Sequence, residues 1–131
     1  MNSFRIVMLV GFGGAVGACA RYWLSGLCGR WFGQDFPYGT LGVNVLGCFL
    51  LGLLAHILQQ EVISEVWRLP LAIGFLGSLT TFSTFGCETF KLLESSNWPS
   101  ALANIGSQLA LGLLAVWGGA TVARMVVGGP T

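Results

Sequence analysis

Between Gly74 and Phe90 the chain reads GFLGSLTTFSTFGCETF. The residue types in this stretch suit the handling of a small ion. At helical spacing Thr81, Thr84 and Glu88 fall at i, i+3 and i+7, which puts two hydroxyls and a carboxylate on one stripe. Phe82 and Phe85, three residues apart, border that stripe, and Ser83 lies between them. Elsewhere Asn44 is the one strongly hydrogen-bonding side chain of an apolar run. Asn104, Ser107 and Gln108 form a second stripe at i, i+3 and i+4. Taken alone, an asparagine in apolar surroundings fits either helix glue or a polar path. Polar residues scattered at random would not gather on such narrow faces, so a conduit is favoured over glue.

The stripes are mostly neutral. A cation pathway would show rings of carboxylates and a large-anion pore rings of Lys or Arg. Here the donors are amides and hydroxyls, and aromatic rings add the positive edges of their quadrupoles. A small anion that hydrogen-bonds strongly can exchange its water for such groups one at a time. None of them is a full charge, so none need trap the ion. Glu88 suits an anion route only at a mouth or through its proton. Composition and spacing reach a narrow, weakly polar pore for a small ion, and no further.

These residues must be carried by membrane helices. The chain has 131 residues, 54% hydrophobic and 8% charged, with a mean hydropathy of +0.77, whereas soluble domains carry about 25% charged residues. Its length suits one domain, residues 1–131. A net charge of +1 offers no basic surface for nucleic acid. Cys19, Cys28, Cys48 and Cys87 form no CxxC pair and have only His56 for company, so they read as apolar cysteines and not as a zinc site. The apolar stretch after Arg5 runs on through a glycine-rich helix with no clear cleavage site, and so reads as a span and not a signal peptide.

Four spans are expected, since a membrane helix needs about 20 mostly apolar residues. The first runs from Ile6 to Leu27, and GRWFGQDFPYG forms the connection after it. The second runs from Thr40 to Leu58, the third from Trp67 to Leu93, and the fourth from Pro99 to Val127. Trp31, Trp67 and Trp98 fall at span edges, as interfacial aromatics do. In the third span Gly74 and Gly77 weaken the helix, and Ser78, Thr80, Thr81 and Ser83 can bond the backbone groups that a break would free. A break there would aim carbonyls and amides at an ion without charged side chains. In the first span Gly13, Gly17 and Arg21 lie along one face. The glycines read as a close-packing face. Arg21, so near hydrocarbon, fits a vestibule or a snorkelling end. His56, near the far end of the second span, reads as an interfacial residue.

Orientation does not resolve. With four spans one side holds Arg5, Arg68 and Arg124 and the other Arg21, Arg30 and Lys91, three against three. The positive-inside rule has nothing to act on. An even split arises by chance or marks dual topology, where one chain inserts both ways and pairs as an antiparallel dimer.

GGAVGACARY from Gly13, PYGTLGVN from Pro37 and GSLTTFSTFGCE from Gly77 together resemble the Fluc (CrcB) fluoride channels of bacteria, in that family's order and spacing over essentially the whole chain. The resemblance implies an all-α membrane protein with four transmembrane helices, the third broken near its middle. It implies an antiparallel, dual-topology homodimer in the bacterial inner membrane, passing fluoride passively through two pores. Asn44 would be the pore asparagine that donates to fluoride, and Phe82 and Phe85 would offer their ring edges. Ser83, Thr84 and Glu88 would lie along the same pathway, with Thr84 the stronger candidate of the two hydroxyls. Gly77 and Thr80 would hold a structural sodium ion through backbone carbonyls at the dimer interface, and Arg21 would sit in a vestibule. Asn104 and Gln108 stand where many members have Tyr and Ser, and both still donate hydrogen bonds. Gly86 and Cys87 replace a commoner Ser and an aliphatic residue.

Two rivals are weighed on the same residues. A small dual-topology multidrug antiporter needs a carboxylate in its first helix, and this chain has no Asp or Glu before Asp35. A non-transporting membrane scaffold would explain Asn44 and Gln108 as glue, but hardly the whole TTFSTF stripe. No enzyme chemistry is expected.

Overall fold

A computed structural model describes residues 3–128, which are helical almost throughout. Helix α1 covers Ser3–Phe32 and α2 covers Tyr38–Gln59. A short turn, Glu65–Trp67, leads to the third span, Pro70–Glu94. The last helix, α5, covers Trp98–Val127. Among the described residues, four helices are therefore long and apolar enough to cross a membrane.

α1 outruns its expected end. Gly29 to Phe32, read from sequence as connection, continue the helix, which stops where Gly33 takes a φ of +90°. That is a left-handed conformation that favours glycine. The remaining connection, residues 33–37, is short. α5 starts where Pro99 suggested, with the Asn97 side chain accepting from the Ser100 amide at 3.3 Å.

The third span is built from unlike pieces. Pro70–Leu76 winds in wide π-type turns, closed by the Gly77 N–H on the Ala72 carbonyl. A single α-turn follows in α3, Gly77–Leu79, and α4 resumes over Phe82–Glu94. Between them Thr80 (φ −84°, ψ 157°) and Thr81 (φ −151°, ψ 110°) are extended. The span as a whole bends by 18°. The wide turns were not expected from sequence. Pro70 and two glycines make them affordable, and α1 packs directly against them.

Packing relies on backbone contact more than on large side chains. A side chain at Gly17 would strike the Phe75 carbonyl, and one at Gly13 would meet the Pro70 carbonyl at 2.5 Å. In return Gly74 faces the Val10 carbonyl. α2 and α5 approach in the same way, with Gly52 on the Val116 carbonyl and Gly119 on the Phe49 carbonyl. The core is correspondingly small: Leu54, Leu76 and Leu79 are its buried leucines. Much apolar surface faces outward, including Trp31, Trp67 and Trp98. His56 is buried near the end of its span, with Nε2 3.4 Å from the Gly128 carbonyl beyond the end of α5.

Candidate functional site

Thr80 keeps a helical backbone bond, whereas extended Thr81 cannot, and side chains take over there. The Thr80 hydroxyl and amide both donate to the Leu76 carbonyl, at 3.0 and 3.1 Å. The Thr81 amide donates to Asn44 Oδ1 at 2.8 Å, and Asn44 Nδ2 returns a bond to the Thr81 carbonyl at 3.2 Å. Asn44 Nδ2 also donates to Gln108 Oε1 at 3.1 Å, so α2, α5 and the third span meet in one amide cluster.

Downstream, the Thr81 hydroxyl caps α4 by accepting the Thr84 amide at 3.2 Å, and donates to the Thr84 hydroxyl at 2.8 Å. Ser83 Oγ lies 3.5 Å from the same hydroxyl. Phe82 and Phe85 meet edge to face, with centroids 5.4 Å apart and planes at 64°. Phe82 is 82% exposed, a large apolar ring held outward.

Asn44, Phe82, Phe85 and Gln108, together with Gly77 and Thr80, line a groove of about 330 Å³, and Ser83 and Thr84 are not on its wall. Thr81 lines it too, and its hydroxyl bond to Thr84 leads to a second cavity of about 400 Å³. Thr40, Thr84 and Glu88 stand on that second wall beside Tyr22, Ser25 and the 33–37 connection. The Thr40 hydroxyl donates to Glu88 Oε1 at 2.8 Å, while Oε2 is buried without a protein partner. Glu88 therefore stands beside a connection at the end of the spans, where a carboxylate is least at odds with an anion route. A further cavity of about 290 Å³ there places Lys91 and Asp35 beside it.

Not every expected residue joins these walls. Asn104 is fully buried and lines neither cavity; its Nδ2 donates to the Thr89 hydroxyl at 2.9 Å, which in turn donates to the Phe85 carbonyl at 2.8 Å. The fourth-helix stripe thus divides, with Gln108 at the groove and Asn104 between α4 and α5. Ser107 turns back to its own helix, donating to the Asn104 carbonyl at 3.2 Å. Arg21 is half-buried on α1, one residue before Tyr22 of the second cavity. Sequence reading missed Thr40 as the partner of Glu88, because 48 residues separate them and only packing brings them together. All four cysteines are free.

Four helices apolar enough to cross a membrane, carrying a cluster of amides, hydroxyls and aromatic rings, define a multi-pass membrane protein. The chain belongs to the CrcB-like protein, Camphor Resistance (CrcB) family, whose model matches residues 8–120. It is 47% identical over 121 residues to a fluoride-specific ion channel of Sorangium cellulosum, covering 92% of this chain and 95% of the relative. It is 46% identical over 121 residues to one of Geobacter sulfurreducens, covering 92% and 98%. To one of Vibrio parahaemolyticus it is 42% identical over 118 residues, covering 89% and 93%. The family is one of ion channels and not of enzymes.

Proposed function

We propose that this protein is a fluoride-selective channel that lets the ion leave the cell passively across the bacterial inner membrane. The observation that carries the reading is the groove itself. Phe82 and Phe85 share its wall with the Asn44–Gln108 amide pair, and the Thr81–Thr84 hydroxyl pair joins it to the cavity that holds Glu88. A small anion shedding water would meet neutral donors in series, none strong enough to hold it. Asn44, Phe82, Ser83, Thr84, Phe85, Glu88 and Gln108 lie along this pathway. Asn104, bonded to Thr89, supports it from behind. Arg21 would lie in the vestibule before the second cavity.

The working unit is an antiparallel, dual-topology homodimer with two pores, in which a second copy covers the open side of the groove. The three-to-three division of Lys and Arg supports it, as does the exposure of Phe82 and Gly77. The third span acts as a broken helix whose Gly77 and Thr80 carbonyls hold a structural sodium ion. The donor set fits: the Thr81 amide, which would close an α-helical bond on the Gly77 carbonyl, is engaged by Asn44 instead, and carbonyl oxygens of unwound helix suit sodium. When bound, the ion would supply positive charge at the interface without travelling.

Purified protein in liposomes should release fluoride far faster than chloride. Fluoride release no faster than from protein-free liposomes would sink the channel reading.

A further inference from the structure

α2 meets the two extended residues of the third span with two neighbouring positions of one face. Asn44 bonds the Thr81 backbone, and Gly47, at i+3, lies against Thr80. Gly47 is buried, and a Cβ there would collide with the Thr80 methyl, Cγ2. The next atoms, Thr80 Cβ and Leu79 Cδ2, would be 3.7 and 3.9 Å away, so the conflict is with one methyl group only. That methyl is not free to turn aside. A threonine χ1 has three staggered positions, and the present one puts the hydroxyl on the Leu76 carbonyl at 3.0 Å. Either of the others takes the hydroxyl off that carbonyl.

What this side chain holds in place is a backbone group. The Thr80 amide and hydroxyl share the Leu76 carbonyl, while a ψ of 157° carries the Thr80 carbonyl out of the helical direction. The Thr84 amide, which would close a helical bond on that carbonyl, donates to the Thr81 hydroxyl at 3.2 Å instead. We infer that Gly47 is a positioning residue for the cation site: the room it leaves for the Thr80 methyl keeps the Thr80 hydroxyl on Leu76 and the Thr80 carbonyl available to sodium. Gly47 shares the groove wall with Gly77 and Thr80. The inference rests on the reading of those two carbonyls as sodium ligands and adds the part of α2 that shapes them.

The test is the thermal unfolding midpoint of the purified protein, followed as sodium chloride replaces choline chloride at constant ionic strength. A cation that binds only the folded protein raises the midpoint. In Gly47→Ala the sodium concentration giving half of that rise should increase by about 10- to 100-fold, the usual effect of disturbing a group that orients a metal ligand. Thr80→Ser deletes the methyl and keeps the hydroxyl. Combining it with Gly47→Ala should return the half-point to within about threefold of Thr80→Ser alone. Gly52→Ala is the control: it strikes the Val116 carbonyl of α5 and should lower the midpoint without moving the sodium half-point. A wild-type half-point in Gly47→Ala overturns the inference, as does a shift of equal size in Gly52→Ala. Should Gly47→Ala alone not fold, a double variant that also fails to fold, or keeps a shifted half-point, overturns it. Wild-type protein whose midpoint is the same in sodium and choline removes the sodium reading itself, which separates the two failures.

Discussion

Asn44 and Thr81, 37 residues apart in the chain, exchange two hydrogen bonds: the Thr81 amide gives one to Oδ1 and the Thr81 carbonyl receives one from Nδ2. A side chain on α2 thus replaces the helical partners that Thr81 gives up by being extended. In an apolar membrane interior such unpaired groups are costly.

Asn44→Leu should therefore destabilise the fold as well as stop conduction. It strands an amide and a carbonyl at once, at about 1–3 kcal/mol each. Thermal unfolding in detergent should show a clear drop in midpoint, and an unchanged midpoint would show that the clamp is dispensable.

The two ring edges should matter to flux and not to folding. Phe82 is mostly exposed and Phe85 is partly so. Phe82→Ile and Phe85→Ile keep apolar bulk but lose the quadrupole edge, worth roughly 0.5–1.5 kcal/mol in aromatic contacts. Each should lower fluoride efflux by about threefold to tenfold while gel filtration still reports a dimer. Wild-type efflux from both variants would remove the rings from the mechanism.

Glycines that touch a neighbouring backbone should tolerate nothing larger. Gly17→Ala drives a methyl into the Phe75 carbonyl, and Gly119→Ala into that of Phe49, whereas Gly11→Ala meets nothing within 4 Å. Overpacking of this kind costs about 1–3 kcal/mol. At an open helical site alanine gains about 0.5–1 kcal/mol over glycine. The midpoint should fall for the first two and hold or rise for the third. Equal tolerance at all three sites would contradict the close approach of α1 and α2 to their neighbours.

The balanced charges predict insertion both ways. A C-terminal tag should be found on both membrane faces by accessibility labelling. Adding two lysines to the 33–37 connection should drive the population to one orientation and reduce fluoride efflux. A tag found on a single face of the membrane would leave a fixed orientation.

The spans and their polar stripes were readable because hydropathy and the 3.6-residue period are local properties. The spacing of Thr81, Thr84 and Glu88 was enough to place them in line, and Gly13 and Gly17 to place a packing face. What was not readable depends on contacts between helices. Gly74 looked like a point of weakness, yet it is where α1 presses on the third span. The extended residues come further on, at Thr80 and Thr81, where Asn44 bonds the Thr81 amide and carbonyl. Likewise Asn104 and Gln108 share a face by spacing, but only the proximity of Thr89 and Asn44 sends one into the core and the other to the groove. The length of α1 was underread because Gly29 was counted as a breaker; nothing local distinguishes a glycine inside a helix from one that ends it.

That length has an outcome for how an ion arrives. At 30 residues α1 measures about 45 Å, against a hydrocarbon layer of about 30 Å. Even when tilted, such a helix carries a turn or more into the lipid headgroups. Tyr22, Ser25, Gly26 and Gly29, which flank the second cavity, belong to the half of α1 nearer that rim. On the proposed reading, the entrance near Glu88 would be sheltered behind this end of α1, at the depth of the lipid headgroups. In the proposed channel, bilayer thickness and headgroup charge would then become part of the access resistance of the pore.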